Sequence, residues 1–417
     1  MNRTKMTIKE ERFLINGALT YSEIPNCPYQ GLLMNARFIQ GIFDDRTGHE
    51  RYQRFGRTFD PEKNTDDLIA SLPQWYEMGM RAFTVGLQGG GPCFTIPLDT
   101  IENNPYGEDG TSVDPAYLKR LLRILKAADE QGMIVIVSLF YGMQSRLLRD
   151  DDAVEEAVKT ICRWLKAQDN EHIIIEIANE HDVAAYRHPV LSQENGILRL
   201  MEIAKRESGG LAVACSGTGG YFSKRIAQAS DVILIHGNNQ SRNQLYNLIK
   251  KAKAIRPIRP IVVNEDSQAL SQMKVTFQNG VSWGYYNNMT KQEPPTDWGI
   301  TPGEDTFFAL RMREYLTGEK SGLAQEDQFY LQGLEKDMEY DGKRFIRLAS
   351  LYPEQIDYVE FFRDGVLVER AYDDPFCVNF IENWWQGSVE GVKSQERWTA
   401  RVYLSSGGVI EKAVTVL

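Results

Sequence analysis

The stretch EHIIIEIANEHD at residues 171–182 decides how the chain folds. Residues 173–177 are apolar and β-branched except for Glu176, which predicts a strand buried on most of its surface. The strand ends abruptly in Asn179 and Glu180, polar residues that a core strand would not choose. In a parallel α/β barrel, polar residues at the C-terminal end of a strand point into the barrel mouth.

A second stretch, PIVVNED at residues 260–266, has the same form. Its apolar run is followed by Asn264 and Glu265, so the pair Asn-Glu again stands where the strand ends. Two buried strands that each deliver a glutamate at their end indicate a carboxylate pair, Glu180 and Glu265. The alternative is that both are surface glutamates at the start of loops.

Strand-like and helix-like segments alternate through the first three quarters of the chain. The predicted strands are residues 31–44, 81–88, 133–141, 172–180, 211–216, 231–236, 261–265 and 281–286. Amphipathic stretches at residues 64–78, 114–131, 151–167, 195–206, 241–254 and 304–316 predict helices between them. Eight strands alternating with helices predict a (β/α)8 barrel, a TIM barrel, in the α/β class.

Capping residues mark some of these helices. Asn64 is a candidate N-cap for the first helix, and Pro73 inside it predicts a kink or an early end. Pro115 suits the first turn of the second helix, and Gly132 suits its end.

The pattern changes after about residue 320, where short strand-like runs replace the alternation. Residues 344–352, 358–363, 366–371, 377–380, 398–404 and 409–416 read as strands, and Asp364-Gly365 marks a hairpin. We expect a barrel domain over residues 1–320 and a small antiparallel β-sandwich, immunoglobulin-like, over residues 321–417. Another hairpin is predicted near the start, around Asn16-Gly17.

Composition narrows the function further. The 417 residues carry a net charge of −10, which argues against nucleic acid and against anionic membranes as partners. No apolar leader and no apolar run of about 18 residues is present, so the chain reads as cytoplasmic if Met1 is the native start. A trimmed chain would read the same. Nothing in the sequence calls for a cofactor or indicates an oligomeric state.

Two carboxyl groups flanking one carbon can cleave a glycosidic bond with retention. One carboxylate attacks while the other gives a proton to the leaving oxygen. Strands four and seven of an eight-stranded barrel are about 135° apart around the ring. Side chains that point inward from the ends of these strands, such as Glu180 and Glu265, can therefore approach each other across the mouth.

At these positions the chain resembles the clan A glycoside hydrolases, especially the cellulase-like family 5 enzymes, over about residues 11–318. The matching residues are Asn179, Glu180, His236, Glu265 and Trp283. The resemblance implies that Glu180 is the acid/base and Glu265 the nucleophile. It also implies that Asn179 hydrogen-bonds the sugar hydroxyl beside the reacting carbon and that Trp283 forms a stacking floor. Trp283 could instead pack the top of the barrel.

The sequence departs from the family pattern at three places. His181 follows Asn179-Glu180 where the family has proline. Tyr141 ends strand three where the family has histidine, and Asn238 stands two residues beyond His236 where the family has tyrosine. Tyr141 and Asn238 are therefore candidates for substrate contact, and the catalytic pair is better supported than the identity of the substrate.

Several further residues could belong to the site or to the scaffold. His236 at the end of strand six could be a site residue or a buried structural histidine. Arg37 is unusual in an apolar strand and could pair with a catalytic or with a structural carboxylate. Gln88, Asp44 and Asp45 could line the pocket, although loop caps are the commoner use of such residues.

Other readings of the sequence are weaker. Residues 88–92, QGGGP, lack the spacing of a phosphate loop and predict a flexible loop beside the mouth. His181, Asp182 and His188 lack the HExxH spacing of a metal site. Trp384-Trp385 in the C-terminal domain could bind sugar, but packing between the domains is the preferred interpretation.

The sequence therefore predicts a retaining glycoside hydrolase that cleaves a β-linked carbohydrate without a cofactor, with a C-terminal domain that mainly supports the barrel. Two alternatives remain open at this stage: a non-catalytic carbohydrate-binding barrel, and a transglycosidase that uses the same residues. The sugar, its linkage and endo versus exo action depend on loop shapes that the sequence does not give.

Overall fold

The computed structural model describes residues 4–54 and 56–417. Eight parallel strands form a ring in the spatial order five, four, three, two, one, eight, seven, six. In chain order they are Asn35–Arg37, Ala82–Gly86, Ile134–Phe140, Ile173–Ala178, Ala212–Ala214, Ile233–His236, Ile261–Glu265 and Ser282–Tyr285. Strands five and six come together where the Asp231 N–H donates to the Val213 carbonyl at 2.9 Å.

A helix follows each barrel strand. The eight helices are Pro61–Glu77, Pro115–Gln131, Asp151–Ala167, Glu194–Glu207, Lys224–Ala229, Arg242–Lys253, Leu270–Gln278 and Glu304–Thr317. Shorter helices are Gly142–Ser145, Pro189–Ser192 and Asn288–Lys291, with 3-10 turns at Leu98–Thr100, Gln325–Gln328 and Pro353–Gln355. The predicted (β/α)8 barrel is confirmed. In the described part of the chain, no helix has the length and apolar character needed to span a membrane.

The first barrel helix corrects two expectations. Its N-cap is Asp60, whose side chain accepts from the Lys63 N–H, and not Asn64. Asn64 is buried one turn later, where its oxygen accepts from Trp298 Nε1 at 3.1 Å. Pro73 does not end the helix, which continues to Glu77. Burial of the helix residues on either side of the proline outweighs the lost backbone hydrogen bond.

The first two barrel strands are shorter than predicted. Residues 38–45 turn away from the sheet after Asn35–Arg37, so Asp44 and Asp45 lie in a loop and not at a strand end. Strand two ends at Gly86, two residues before Gln88. Residues 38–43 are buried and mostly apolar, but they pack in a loop. A continuous apolar run has no alternation of apolar and polar residues, so from the sequence this loop cannot be told from a buried strand.

The opposite end of the barrel is closed by the N-terminal hairpin. Strands Met6–Lys9, Arg12–Ile15 and Ala18–Leu19 form a small sheet, and Phe13 packs among the inward-facing residues of the barrel strands. The Met6 N–H donates to the carbonyl of Glu171, just before strand four begins. Because this sheet covers the N-terminal ends of the strands, the open mouth lies at their C-terminal ends.

The C-terminal strands form the predicted β-sandwich. One sheet pairs Phe329–Gln332, Arg347–Ser350 and Phe376–Cys377, and the other pairs Val366–Ala371, Ile356–Arg363, Arg397–Leu404 and Val409–Thr415. The short strand pairings involve Gln53–Arg54, Arg57–Thr58, Glu339–Tyr340, Lys343–Arg344, Val389–Glu390, Phe380–Glu382 and Trp385–Gln386. Leu331, Leu348, Phe361 and Trp398 belong to one core between the two larger sheets. The domain boundary near residue 320 and the immunoglobulin-like topology remain proposals.

Buried ionic and aromatic contacts join the sandwich to the barrel. Arg347 of the sandwich and Glu304 of the barrel are both almost inaccessible, with 3.3 Å between Arg347 Nη1 and Glu304 Oε1. The rings of Phe94 and Phe345 also meet across the boundary, with 4.6 Å between their centroids. The two parts therefore pack as one body, and the sandwich reaches the barrel mouth.

Candidate active site

Glu180 and Glu265 meet in a cleft at the mouth of the barrel. Glu265 is the last residue of strand seven, and Glu180 stands two residues beyond strand four. One carboxylate oxygen of each, together with a ring nitrogen of His236, lies within 4.8 Å of the others. The cleft has a volume of about 350 Å³. Its lining includes Arg37, Tyr141, Asn179, Glu180, Asn238, Glu265, Tyr286, Glu382, Trp384 and Trp385.

The surroundings of Glu265 hold its carboxylate in place. Arg37 Nε lies 2.5 Å from Oε2, and Asn238 Nδ2 donates to Oε1 at 2.7 Å. Burial alone would lower the pKa of Arg37, but the adjacent Glu265 raises it above the ordinary value. The same guanidinium donates to Asn179 Oδ1 at 2.7 Å. Arg37 thus links residues that follow strands four and seven, and the open question about its partner is answered by the ion pair with Glu265.

Glu180 has a different environment. Its backbone φ is +51°, in the left-handed region that side chains other than glycine enter at some cost. Oε1 lies 2.9 Å from His236 Nδ1. The Glu180 side chain is 21% exposed, whereas that of Glu265 is 8% exposed. Glu180 therefore faces the open part of the cleft, where a leaving group would have room.

His236 lies between the two carboxylates. Its Nδ1 is 2.9 Å from Glu180 and 3.8 Å from Glu265. Burial would lower the pKa of His236, but Glu265 and Glu180 together outweigh burial and raise the pKa. The imidazole therefore holds a proton more strongly than a free histidine does, directly against Glu180.

A second polar pair lies one layer below and was not predicted as part of the site. Glu176 of strand four is fully buried, and its Oε1 accepts from Asn264 Nδ2 of strand seven at 3.0 Å. This bond joins the two strands that carry the glutamate pair. The signal was present in the sequence, because Glu176 is the only charged residue in an otherwise apolar strand.

Three candidate residues are used elsewhere. Trp283 is completely buried, and its Nε1 donates to Asp266 Oδ2 at 2.7 Å. Its ring lies 5.8 Å from that of Phe308 on the last barrel helix, so it packs between strands and helices and does not form the stacking floor. Gln88 is buried and accepts from the Tyr141 N–H at 2.9 Å, which positions Tyr141 without lining the cleft. Asp45 accepts from the Tyr52 hydroxyl and the Thr47 N–H as a loop cap.

Asp44 likewise supports a loop. Its carboxylate contacts His49 Nε2 at 2.6 Å and Arg120 Nη2 at 3.4 Å, outside the cleft lining. Acidic residues after a predicted strand are therefore informative only where the strand end itself faces the mouth.

The glycine-rich loop lies beside the mouth, as its sequence predicts. Gly90 and Cys93 line the cleft. The buried carboxylate of Glu293 accepts from the Cys93 N–H at 2.5 Å and from the Phe94 N–H at 2.8 Å, and burial raises the pKa of Glu293. A carboxylate therefore already occupies the N–H groups that follow the glycine-rich residues, and its negative charge would disfavour a phosphate beside it.

One side of the cleft comes from the C-terminal domain. Glu382, Trp384 and Trp385, here called the cleft wall, lie in the cleft lining. The wall is attached to the barrel because Asn288 Nδ2 donates to the Trp384 carbonyl at 2.7 Å. Trp385 also packs on Phe94, with 5.1 Å between ring centroids. The interpretation as interdomain packing alone was therefore incomplete, because the tryptophans both pack and face the cleft.

The cluster of Glu180, His236 and Glu265 also has a spacing that a metal ion could use. Two observations argue that these groups are arranged for another purpose. Arg37 already supplies a positive charge to Glu265, and His236 gives its Nδ1 to Glu180. A metal ion between the carboxylates would have to compete with both contacts.

Comparison with known proteins agrees with the barrel. Residues 64–191, which include Glu180, match the family model described as cellulase (glycosyl hydrolase family 5). No curated protein matches the chain. A protein from Bacteroides vulgatus, provisionally titled a glycoside hydrolase, has a similar fold, with a TM-score of 0.51, 12% identity, and coverage of 93% of this chain and 82% of that one.

Two other solved structures show weaker similarity. An endo-β-1,4-mannanase from Thermotoga petrophila has a TM-score of 0.46 and 12% identity, covering 92% of this chain and 96% of that one. A calcium-binding mutant of Bacteroides uniformis β-glucuronidase 2 has a TM-score of 0.47 and 11% identity, covering 99% of this chain. The present chain spans 47% of the length of that β-glucuronidase. The resemblance noted in the sequence is confirmed over residues 64–191, which match the cellulase family 5 model, and the solved structures share the barrel fold.

Proposed function

We propose that the chain hydrolyses a β-linked glycoside with retention of configuration, using Glu265 as nucleophile and Glu180 as acid/base. The observation that carries this proposal is the approach of one oxygen of each carboxylate to within 4.8 Å in a single cleft. Retaining glycosidases hold their two carboxyl groups about 5–5.5 Å apart, whereas inverting enzymes need about 6.5–9.5 Å to admit a water molecule.

The environments of the two glutamates support this division of roles. A nucleophile must be ionised, and Glu265 is paired with Arg37 and accepts from Asn238. The acid/base must exchange a proton with the substrate, and Glu180 is the more exposed carboxyl group and contacts His236.

The reaction proceeds in two displacements. In the first, a Glu265 oxygen forms a bond to the anomeric carbon, the bond to the leaving oxygen breaks, and Glu180 supplies the proton to that oxygen. In the second, Glu180 takes a proton from water while the water oxygen attacks the anomeric carbon. As that new bond forms, the bond to Glu265 breaks and its carboxylate is restored. Protons and electron pairs balance, and no external reductant, oxidant or cofactor enters.

The charges of the cleft favour a neutral sugar over a uronic acid. Of the described residues that line the cleft, Arg37 is the basic one, and it is paired with Glu265. Glu382 adds a further acidic group to the wall. A sugar carboxylate would therefore meet acidic neighbours without a free cation, so we expect aryl β-glucosides or β-mannosides to be cleaved and the matching β-glucuronide to be refused.

The test uses Glu180→Ala with an activated aryl β-glycoside. Such a substrate needs little protonation, so we expect formation of the glycosyl-enzyme to continue while its hydrolysis slows. Added azide, an anion that needs no general base, should restore turnover and give the β-glycosyl azide. The α-glycosyl azide would mean a single displacement in a site without its nucleophile, and the two roles would then be reversed. Glu339→Gln, which changes an exposed carboxylate outside the cleft lining, is the control.

A further inference from the structure

The space between the barrel and the C-terminal domain opens onto the catalytic cleft. This interdomain groove has a volume of about 860 Å³ and lies against the barrel helices Arg242–Lys253 and Leu270–Gln278. Asn239 and Glu382 line both the groove and the cleft. The groove and the cleft therefore adjoin at these two residues, and a chain-like ligand that extends from the cleft past them meets the groove.

Aromatic side chains of the groove are exposed on both domains. Tyr246 on the barrel is 40% exposed, and Phe380 and Tyr372 on the C-terminal domain are 40% and 64% exposed. Exposed apolar surface gathered in one depression is typical of a binding site, since folding alone gives no reason to keep it in water. Flat rings also offer the faces on which sugar rings stack.

Neutral amides form much of the remaining lining. They are Asn239, Gln240, Asn243, Gln244, Gln272, Gln278, Asn279 and Asn383. An amide both donates and accepts, which matches the sugar hydroxyl group, and Asn243 and Gln278 are exposed. Arg242 is the basic residue among the described lining groups, too little positive charge for a nucleic acid. Aromatic faces and amides fit a carbohydrate, and the lining carboxylates Glu354, Asp373, Asp374 and Glu382 outnumber Arg242 and so favour a neutral carbohydrate over an anionic one.

The groove is held in shape by contacts between its two walls. Asn383 Oδ1 accepts from the Asn239 N–H at 2.7 Å, and its Nδ2 donates to the Gln240 carbonyl at 2.8 Å. The carboxylate of Asp374 accepts from the Ser271 N–H at 3.0 Å. A ligand would therefore enter a preformed groove and would not have to order its walls, which favours affinity.

We propose that the interdomain groove binds the further units of a neutral β-linked oligosaccharide whose reacting end lies in the catalytic cleft. The proposal rests on the proposed function, because that function defines which linkage is cleaved. If the groove binds these further sugar units, the substrate is an oligosaccharide. Its kcat/KM then rises once the oligosaccharide is long enough to extend past Asn239 and Glu382.

The kinetic test compares a long β-linked oligosaccharide with an aryl glycoside of the same sugar. Loss of a stacked ring costs about tenfold in kcat/KM on the long substrate, so Tyr372→Ala and Phe380→Ala should each reduce the ratio of the two kcat/KM values by about that factor. Val366→Ala, also on the C-terminal domain but outside the groove and 66% exposed, should leave the ratio unchanged. An unchanged ratio in both tyrosine and phenylalanine variants would overturn the proposal.

A binding measurement separates this proposal from the proposed function. Glu265→Gln protein is run through native gels that contain a soluble β-1,4-glucan or β-1,4-mannan. We expect the glycan to retard it, and Tyr372→Ala with Phe380→Ala on the same background to remove the retardation. If the glycan retards the protein through these two rings but the wild type cleaves no glycoside, the proposed function is wrong and the groove proposal stands. If the wild type cleaves glycans but shows neither retardation nor a dependence of kcat/KM on oligosaccharide length, the groove proposal is wrong and the proposed function stands.

Discussion

The floor and the wall of the cleft differ in the kind of contact that holds their side chains in place. The floor, formed by Arg37, Asn179, Asn238, Glu265 and the neighbouring Glu180, comes from the ends of barrel strands and is tied together by charge and hydrogen bonds. The wall, Glu382, Trp384 and Trp385, comes from a short hairpin of the C-terminal sandwich and contacts the barrel through one backbone carbonyl and a tilted ring pair. Rigid charge placement suits bond cleavage, whereas half-exposed aromatic rings suit selection of a sugar.

The largest effect should come from breaking the floor. Glu265→Gln keeps the shape of the side chain but removes the nucleophile, so we expect a loss of at least about 10⁴-fold in kcat for an aryl β-glycoside. The variant should still fold, with a lower Tm because the buried Arg37 loses its ionic partner, which circular dichroism and thermal unfolding can check. Activity within about tenfold of the wild type would mean that another group attacks the substrate.

Breaking the ion pair that joins the C-terminal sandwich to the barrel should give the next largest effect. Arg347→Ala leaves Glu304 buried without its ionic partner, and the loss of one member of a buried pair costs about 3–5 kcal/mol in the free energy of unfolding. Arg401→Ala is the matched control, because Arg401 and Glu411 form an exposed pair at 2.8 Å worth about 0–1 kcal/mol. Guanidinium unfolding of the whole chain measures both. Equal costs would show that the buried interdomain pair is not a special anchor.

Truncating the wall itself should have a smaller and different effect. Trp384→Ala should lower kcat/KM about tenfold, mainly through KM, since the ring contacts the sugar in ground state and transition state alike. Trp164→Ala removes a half-buried tryptophan of the barrel helix Asp151–Ala167, away from the cleft, and serves as control. A fall in kcat comparable to that of Glu265→Gln would assign the wall a part in the chemistry.

The contrast between floor and wall also explains what the sequence could predict. A buried parallel strand must end in polar residues where it reaches the mouth, so Glu180 and Glu265 were visible in two short runs of letters. Asn238, the partner of Glu265, stands out in the sequence only as a departure from the family pattern. Its hydrogen bond to Glu265 shows that a short amide can hold this carboxylate where the family has tyrosine.

The wall could not be derived in the same way. Whether Trp384 and Trp385 face sugar or core depends on how one domain docks on another, which no local pattern encodes. Trp283 shows the same limit from the other side, because its position at strand eight was right but the direction of its side chain, toward Asp266, was not predictable. Side chains that face the barrel interior and side chains that face the helices alternate along a strand, so an uncertainty of one residue exchanges the two directions.

The smallest effect should come from Asp266, the buried residue that follows Glu265, and it should be seen in stability rather than activity. Burial, only partly offset by hydrogen bonds from Trp283 and Ser267, raises the pKa of Asp266 to about 8. The folded protein therefore binds one more proton than the unfolded chain between about pH 4 and pH 8, and the free energy of unfolding falls as pH rises through that range. Asp266→Asn keeps the acceptor for Trp283 but removes the titration. Its Tm relative to the wild type should therefore increase from pH 5 to pH 8.5.

Asp305→Asn supplies the control of opposite sign. Asp305 is as deeply buried, but Lys291 at 2.6 Å outweighs burial and lowers the pKa of Asp305. A lowered pKa stabilises the folded state above the unfolded value and loses that contribution as pH falls, so Asp305→Asn should be least stable relative to the wild type at neutral and higher pH. The raised pKa values of Glu304 and Asp374, about 7 each, act in all three proteins and cancel in the differences. If the Tm difference between Asp266→Asn and the wild type stays constant across this pH range, Asp266 is already ionised in the folded protein at pH 5.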